Sequence, residues 1–147
     1  MKKLLFIITA LLFACSVYSQ EVILKKDITK ELSELIAKGN KVFLEFDRES
    51  VAGKYLVKEF NKWGYWKVVE DVREAQFIIG IPILSSQNGA DIGAATNAYA
   101  EFKTLDNNVF IRTKNYKGGA SVLSGWNSYK ASAQSIMNLY FKKEFKK

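Results

Sequence analysis

The 147-residue sequence contains no histidine, one cysteine and one proline. Without histidine or a second thiol, no Ser-His or Cys-His relay can be built, and no zinc site of imidazole and thiolate ligands. An enzyme of this composition would have to work with carboxylates, lysine, tyrosine or serine, or with a hard cation such as calcium or magnesium. Long apolar runs are equally scarce. The one that stands out, Leu4 to Ala14, follows Lys2 and Lys3 and gives way to Cys15-Ser16-Val17-Tyr18-Ser19. It falls well short of the ~20 residues that cross a bilayer as a helix. Its charged, apolar and polar zones are those of a secretory signal peptide. Residues 1–19 therefore read as a leader and 20–147 as a single globular domain, long enough to bury roughly two thirds of its unfolded surface without staples.

Two exits from the leader compete. Val17 and Ser19 are small enough to enter a peptidase pocket, which favours a cut before Gln20. In the alternative, Leu12-Phe13-Ala14-Cys15 acts as a lipobox and Cys15 becomes an acylated N-terminus. Phe13 is bulky for such a box, and the chain soon runs into Val22-Ile23-Leu24 rather than a flexible Ser/Gly tether. The ending SVYSQ also resembles leaders of exported proteins from Bacteroidota-type bacteria, which are often cut before Gln. The expected location is periplasmic or secreted, with lipid anchoring to the outer membrane through Cys15 as the alternative. Cleavage before Gln20 removes the only thiol, which suits an oxidising compartment. It also leaves 20 Lys and Arg against 15 Asp and Glu, a net charge of +5.

The remaining pattern alternates helices and strands. Asp27 can cap a helix carrying Ile28, Leu32, Leu35 and Ile36 on one face, stopped at Gly39-Asn40. Lys41 to Phe46 reads as a strand. Ser50 can cap a second helix, with Ala52, Tyr55, Leu56, Phe60 and Trp63 on one stripe and Gly64 as its stop. Tyr65 to Val69 reads as the next strand, completing a right-handed βαβ crossover. Gln76 to Leu84 is almost wholly apolar and predicts a strand buried on both faces. The single proline, Pro82, cannot donate to a ladder and belongs at a bulge or where pairing has ended. In Ile92 to Thr104 the residues Ile92, Ala94, Thr96, Ala98, Ala100 and Phe102 alternate with Ala95, Asn97, Tyr99, Glu101 and Lys103, a strand joined through Asp106-Asn107-Asn108 to another over Val109 to Tyr116. A glycine-rich bend, Gly118 to Gly125, leads into a last helix with Tyr129, Ala133, Ile136, Met137 and Tyr140 on one face. The prediction is an α+β fold: a mixed sheet of about five strands beginning with a βαβ crossover, with amphipathic helices packed on the sheet. The Ala and Thr run from Ala94 to Ala100 predicts a face against which a helix backbone lies closely.

The string FLEFDRESVAGKYLVKEFNKWGYWKVVEDVREAQFIIGI, with the later hairpin YAEFKTLDNNVFIRT and a closing helix, resembles small exported bacterial envelope domains. Among these are the TolB N-terminal domain and the penicillin-binding-protein activator lipoproteins. The likeness lies in element order, with Gln76 standing where those domains usually carry Asp. It implies a non-enzymatic role in envelope assembly or binding and carries over no functional residue.

Several clusters invite a chemical reading. Gly53-Lys54 after a strand suggests a phosphate loop, but that motif needs Gly where Arg48 stands and Ser or Thr where Tyr55 stands. Glu45 and Asp47, two apart at a strand's carboxyl end, point to one side in the place where open α/β sheets take ligands. Two convergent carboxylates can hold a hard cation or raise one another's proton affinity; the plainer alternative is a solvated strand end paired with Arg48 and nearby lysines. Trp63, Tyr65 and Trp66 gather at a helix-to-strand corner, and Trp126 and Tyr129 border the glycine-rich bend. Rings of this kind stack on sugars or anchor partner peptides. Ordinary core packing uses such rings too, and for Trp63 and Tyr129, which sit on apolar stripes, core is the better fit; Trp126, between Gly125 and Asn127, is the ring least suited to burial. Lys142-Lys143-Glu144-Phe145-Lys146-Lys147 gathers four cations, which complement a helix C-terminus or touch an anionic surface. No helix or strand carries the basic stripe with interleaved aromatics that nucleic acid requires. The reading is an exported, non-enzymatic envelope protein binding a protein or glycan through Trp126, Tyr129, Trp66, Glu45 and Asp47, with no cofactor or metal. The alternative is a histidine-free, carboxylate-dependent enzyme, with or without metal assistance, acting on a saccharide.

Overall fold

The computed structural model describes residues 29–85, 96–119 and 127–146. The leader with Cys15, the cap residue Asp27, and Trp126 lie outside the described residues. In chain order the elements are α1 (Lys30–Leu35), β1 (Lys41–Glu45), α2 (Val51–Trp63), β2 (Lys67–Val69), a 3-10 turn (Val72–Glu74), β3 (Phe77–Gly80), β4 (Ile83–Ser85), β5 (Thr96–Ala98), β6 (Glu101–Lys103), β7 (Val109–Arg112), β8 (Tyr116–Gly118) and α3 (Ser128–Ile136). The last helix continues through a π turn, Met137–Phe141, into α4 (Lys142–Glu144).

The strands form a mixed five-stranded sheet in the order β2-β1-β3-β6-β7 and a three-stranded sheet in the order β4-β5-β8. β1 pairs in parallel with both β2 and β3, and β6 and β7 extend the sheet antiparallel. The fold is α+β, with helices packed on the sheet and the βαβ crossover at its start. The α2 boundaries follow from local chemistry. The Ser50 hydroxyl accepts the Gly53 amide at 3.0 Å, and Gly64 takes a left-handed φ of 59° that ends the helix. The α1 cap differs from expectation. Thr29 is extended and its hydroxyl accepts the Leu32 amide at 3.3 Å, so the helix starts later than a cap at Asp27 would set it.

Three expected strands are broken, all along one crease. Gln76 to Leu84 divides at Ile81-Pro82, the segment up to Thr104 divides at Tyr99-Ala100, and Val109 to Tyr116 divides at Thr113 to Asn115. Pro82 interrupts the first because it has no amide to give the ladder; its carbonyl accepts the Tyr99 amide at 3.3 Å. At the middle of the crease a buried amide would be left without a partner. The Thr113 hydroxyl accepts the Ala100 amide at 2.9 Å and donates to the Lys114 carbonyl at 2.9 Å. The alternation of Thr96, Ala98, Ala100 and Phe102 into the core survives the bend, because the break inserts no residue into the period.

Trp66 is the hub of the core. It is 3% exposed, and its ring lies 4.7 Å from Phe145, 5.0 Å from Tyr65, 5.5 Å from both Trp63 and Phe77, and 5.9 Å from Phe102, centroid to centroid. Its indole N–H donates to the Ile36 carbonyl at 2.9 Å, tying the end of α1 to the same cluster. Buried rings of this size contribute most of a small core's apolar area, and the indole needs such a partner when buried. The expectation that Trp66 offers a face to a partner is corrected here, because the ring is buried within this cluster.

The last helix lies on the three-stranded sheet through small residues. Thr96 donates its hydroxyl to the Ser128 carbonyl at 2.7 Å and lies 2.5 Å from the Ser132 hydroxyl. A Cβ on Gly118 would stand 2.2 Å from the Ser132 amide nitrogen and 2.6 Å from the Ser128 carbonyl oxygen. Gly118 therefore belongs to β8 and is needed for space, not for the unusual dihedrals expected of a glycine-rich bend. From Thr96 on, the Ala and Thr face predicted to receive a helix backbone does so; Ala94 and Ala95 lie outside the described residues. Gly118→Ala should lower unfolding free energy by about 3 kcal/mol or more, the upper range for overpacking against backbone that cannot yield, whereas Gly119→Ala, with open space around it, should leave it nearly unchanged. Equilibrium denaturation of both variants checks this.

Candidate functional site

The crease and the small-residue contact leave a cleft of about 340 Å³ at the carboxyl ends of β1 and β3. The first turn of α2 forms one wall through Ser50, Ala52 and Gly53; Ile81, Pro82 and Ile83 form another; Tyr129, at the start of α3, stands at its rim with Glu45 and Asp47. The volume is near the lower end of the ~300–1,000 Å³ usual for ligand clefts. Gly53 fixes the turn that carries Asp47: a Cβ there would stand 2.0 Å from the Asp47 carbonyl oxygen. Its place is a helix interior in contact with a loop, not a phosphate loop.

The floor is electrostatic. Pairing aligns Glu45 of β1 with Gly80 of β3, Gly80 with Glu101 of β6, and Glu101 with Arg112 of β7. Lys103 reaches across this row. Its ammonium donates to Glu45 at 2.6 Å and lies 3.7 Å from Glu101, which is 3.6 Å from Arg112. The crossing requires Gly80, where a Cβ would approach the Glu45 Oε2 to 3.2 Å. Arg112 also covers the Tyr99 ring at 4.4 Å, a cation–π contact. Lys103 titrates above its ordinary range: its hydrogen bond with Glu45 raises it most, partial burial opposes, and the fields of Glu45 and Glu101 add to the rise. It stays an ammonium, which suits a charge anchor and not an amine nucleophile.

Glu45 and Asp47 share the cleft, but each has its own partner. Glu45 pairs with Lys103 rather than Arg48, and Arg48 is taken by Glu70 and lies 5.1 Å over the Phe43 ring. Asp47 sits beyond the strand, where its carboxylate accepts the Glu49 amide at 3.0 Å in a side-chain turn and its carbonyl accepts the Ser50 hydroxyl at 2.7 Å. Two-residue spacing therefore placed both near the cleft without pairing them, because β1 ends at Glu45. Among the described residues no three carboxylates gather as a cation site. Tyr129 is corrected from core to surface, 43% exposed. Ser128 and Ser132 occupy the positions facing the sheet, where only small side chains fit, and the ring is turned out to the rim. Lys103, Glu101 and Gly80 were not recognised from sequence as site residues. The signal was the alternation that puts Tyr99, Glu101 and Lys103 on one side of a strand.

The fold and site define an α+β protein with a small, acid-rimmed cleft over a partly buried charge row. No known protein family and no curated protein matches the chain. Among solved structures it is similar to the PelC dodecamer from Paraburkholderia phytofirmans, with a TM-score of 0.47 and 14% identity over 70% of this chain and 87% of that one. It is also similar to an uncharacterized lipoprotein B from Nitrosomonas europaea, with a TM-score of 0.44 and 12% identity over 73% and 89% of the two chains. Likeness at these values carries no argument about activity or partner.

The charge row has a pH signature. The folded pKa of Lys103 lies above its unfolded value, so its stabilisation is fully present below about pH 10.4 and is lost as pH rises through the folded value. Thermal unfolding should show a melting temperature that falls above about pH 10.4, with a smaller fall in Lys103→Met. Tyr140 and Tyr116, raised by burial first, contribute to both proteins alike. An identical alkaline fall in the two proteins would show that the row is not coupled to folding.

Proposed function

We propose that this is an exported envelope protein that binds glycan chains in the cleft between α2, β4 and α3, without catalysing a reaction on them. The observation that carries the reading is the exposed Tyr129 ring at the rim of a cleft that also holds Asp47, Glu45 and the Ser50 hydroxyl. A ring face packs on the C–H face of a sugar while carboxylate and hydroxyl oxygens exchange hydrogen bonds with its hydroxyls. Export is supported by the charged, apolar and polar zones of residues 1–19, and among the described residues no helix is long and apolar enough to cross a membrane. The resemblance in element order to the TolB N-terminal domain and the penicillin-binding-protein activator lipoproteins, read from the sequence, favours the same placement. Separate partners for Glu45 and Asp47 favour holding a ligand over the paired acid and base of a glycosidase, which face one another across the scissile bond.

Calorimetric titration with oligosaccharides released from the host envelope tests this. Tyr129→Ala should weaken binding by about tenfold or more, the loss typical of an aromatic anchor, with an unchanged melting temperature because the ring is not in the core. Unchanged affinity, or sugar cleavage that disappears in Asp47→Asn or Glu45→Gln, would overturn the reading.

A further inference from the structure

At the far end of α2 from the cleft, the helical layer carries a cluster of lysines. Glu59 of α2 is held by Lys142 of α4 at 2.8 Å and titrates below the ordinary carboxylate range, through that hydrogen bond first, with the fields of Lys142, Lys62 and Lys58 adding to it against partial burial. One lysine from the last helix thus holds the carboxylate, and two more on α2 act on it through their fields. The solvent side of the last helix continues the patch. The π turn keeps Met137, Tyr140 and Phe141 in the core and turns Asn138 and Leu139 outward. Leu139 is 59% exposed and precedes exposed Lys142 and Lys143 by about one helical turn, with exposed Lys146 just beyond the end of α4. A large exposed aliphatic side chain flanked by lysines matches the chemistry of a bilayer surface, where ammonium groups meet anionic headgroups and the apolar group enters the interface. An anionic polysaccharide would use the lysines but has no use for Leu139.

We propose that Lys58, Lys62, Lys143 and Lys146, with Leu139, form a docking surface for an anionic lipid bilayer. Lys142 is left out because Glu59 occupies it. Docking by this face sets the protein's orientation. Ser50 and Lys62 lie twelve residues apart along α2, roughly 18 Å along the axis at 1.5 Å per residue, so the cleft and the patch stand at opposite ends of that helix. The surface stands independently of what the cleft binds.

The test is flotation of the processed protein, recovered from the periplasm, with vesicles of phosphatidylcholine alone or mixed with phosphatidylglycerol, at low and physiological salt. Binding is expected only to the mixed vesicles and should weaken with salt. Lys143→Glu with Lys146→Glu should reduce it by about tenfold or more, since each lysine near a charged surface is worth ~1 kcal/mol, or about fivefold. Leu139→Ser should reduce it several-fold while keeping the salt dependence. Circular dichroism on each variant confirms the fold. Equal binding to neutral vesicles, no binding to either, or no effect of the charge reversals would overturn the proposal. So would retention on soluble heparin with indifference to vesicles, which would identify the patch as a polysaccharide surface.

Discussion

The arrangement depends on the packing around Trp66. Its indole ring is contacted by residues from α2, β3, β6 and the last helical turns, and its one polar atom is spent on the Ile36 carbonyl at the end of α1. A single buried side chain therefore joins elements more than a hundred residues apart in sequence, from Ile36 to Phe145. Aromatic pairs in edge-to-face geometry add about 0.5–1.5 kcal/mol each beyond the area they bury. Because the cluster is rigid, α2 and the last helix are fixed against the same side of the five-stranded sheet, and the space between their first turns is fixed with them.

That space is the cleft, and it exists because the sheet bends. An unbroken strand through Ile81-Pro82 would extend beside the first turn of α2, whereas the crease turns β4 into the second sheet. The cost of the bend is met locally by the Thr113 hydroxyl on the Ala100 amide. The last helix then reaches the second sheet only because Thr96, Gly118, Ser128 and Ser132 are small. The same close approach forces Tyr129 outward to the rim. Packing and site are consequences of one constraint: a helix that must touch backbone on one side and an aromatic core on the other.

Much of this was legible where the signal is local. The Ser50 cap, the Gly64 stop, the alternation into Phe102 and the turn at Asn107, which takes a φ of 65°, each depend on residues close in the chain. What was not legible depends on register. Nothing near Glu45 announces that Gly80 will lie beside it or that Lys103, 58 residues on, will cross to reach it. The crease was visible only as a proline in an apolar run, which marks the end of pairing but not the start of a second sheet. Trp66 and Tyr129 differ from expectation for separate reasons: Trp66 stands between α2 and β2, where no periodicity shows which way a ring faces, and for Tyr129 helical periodicity shows which side of the helix is apolar, not which position meets a surface that admits only small side chains.

The claim that the cleft is the binding site is tested most directly by amide NMR of the labelled protein titrated with envelope oligosaccharides. The account predicts shift changes confined to the amides of Asp47, Ser50, Gly53, Ile81, Ile83 and Tyr129, with those of the helical layer around Lys62 and Lys143 unmoved. Shifts centred elsewhere on the molecule would contradict it.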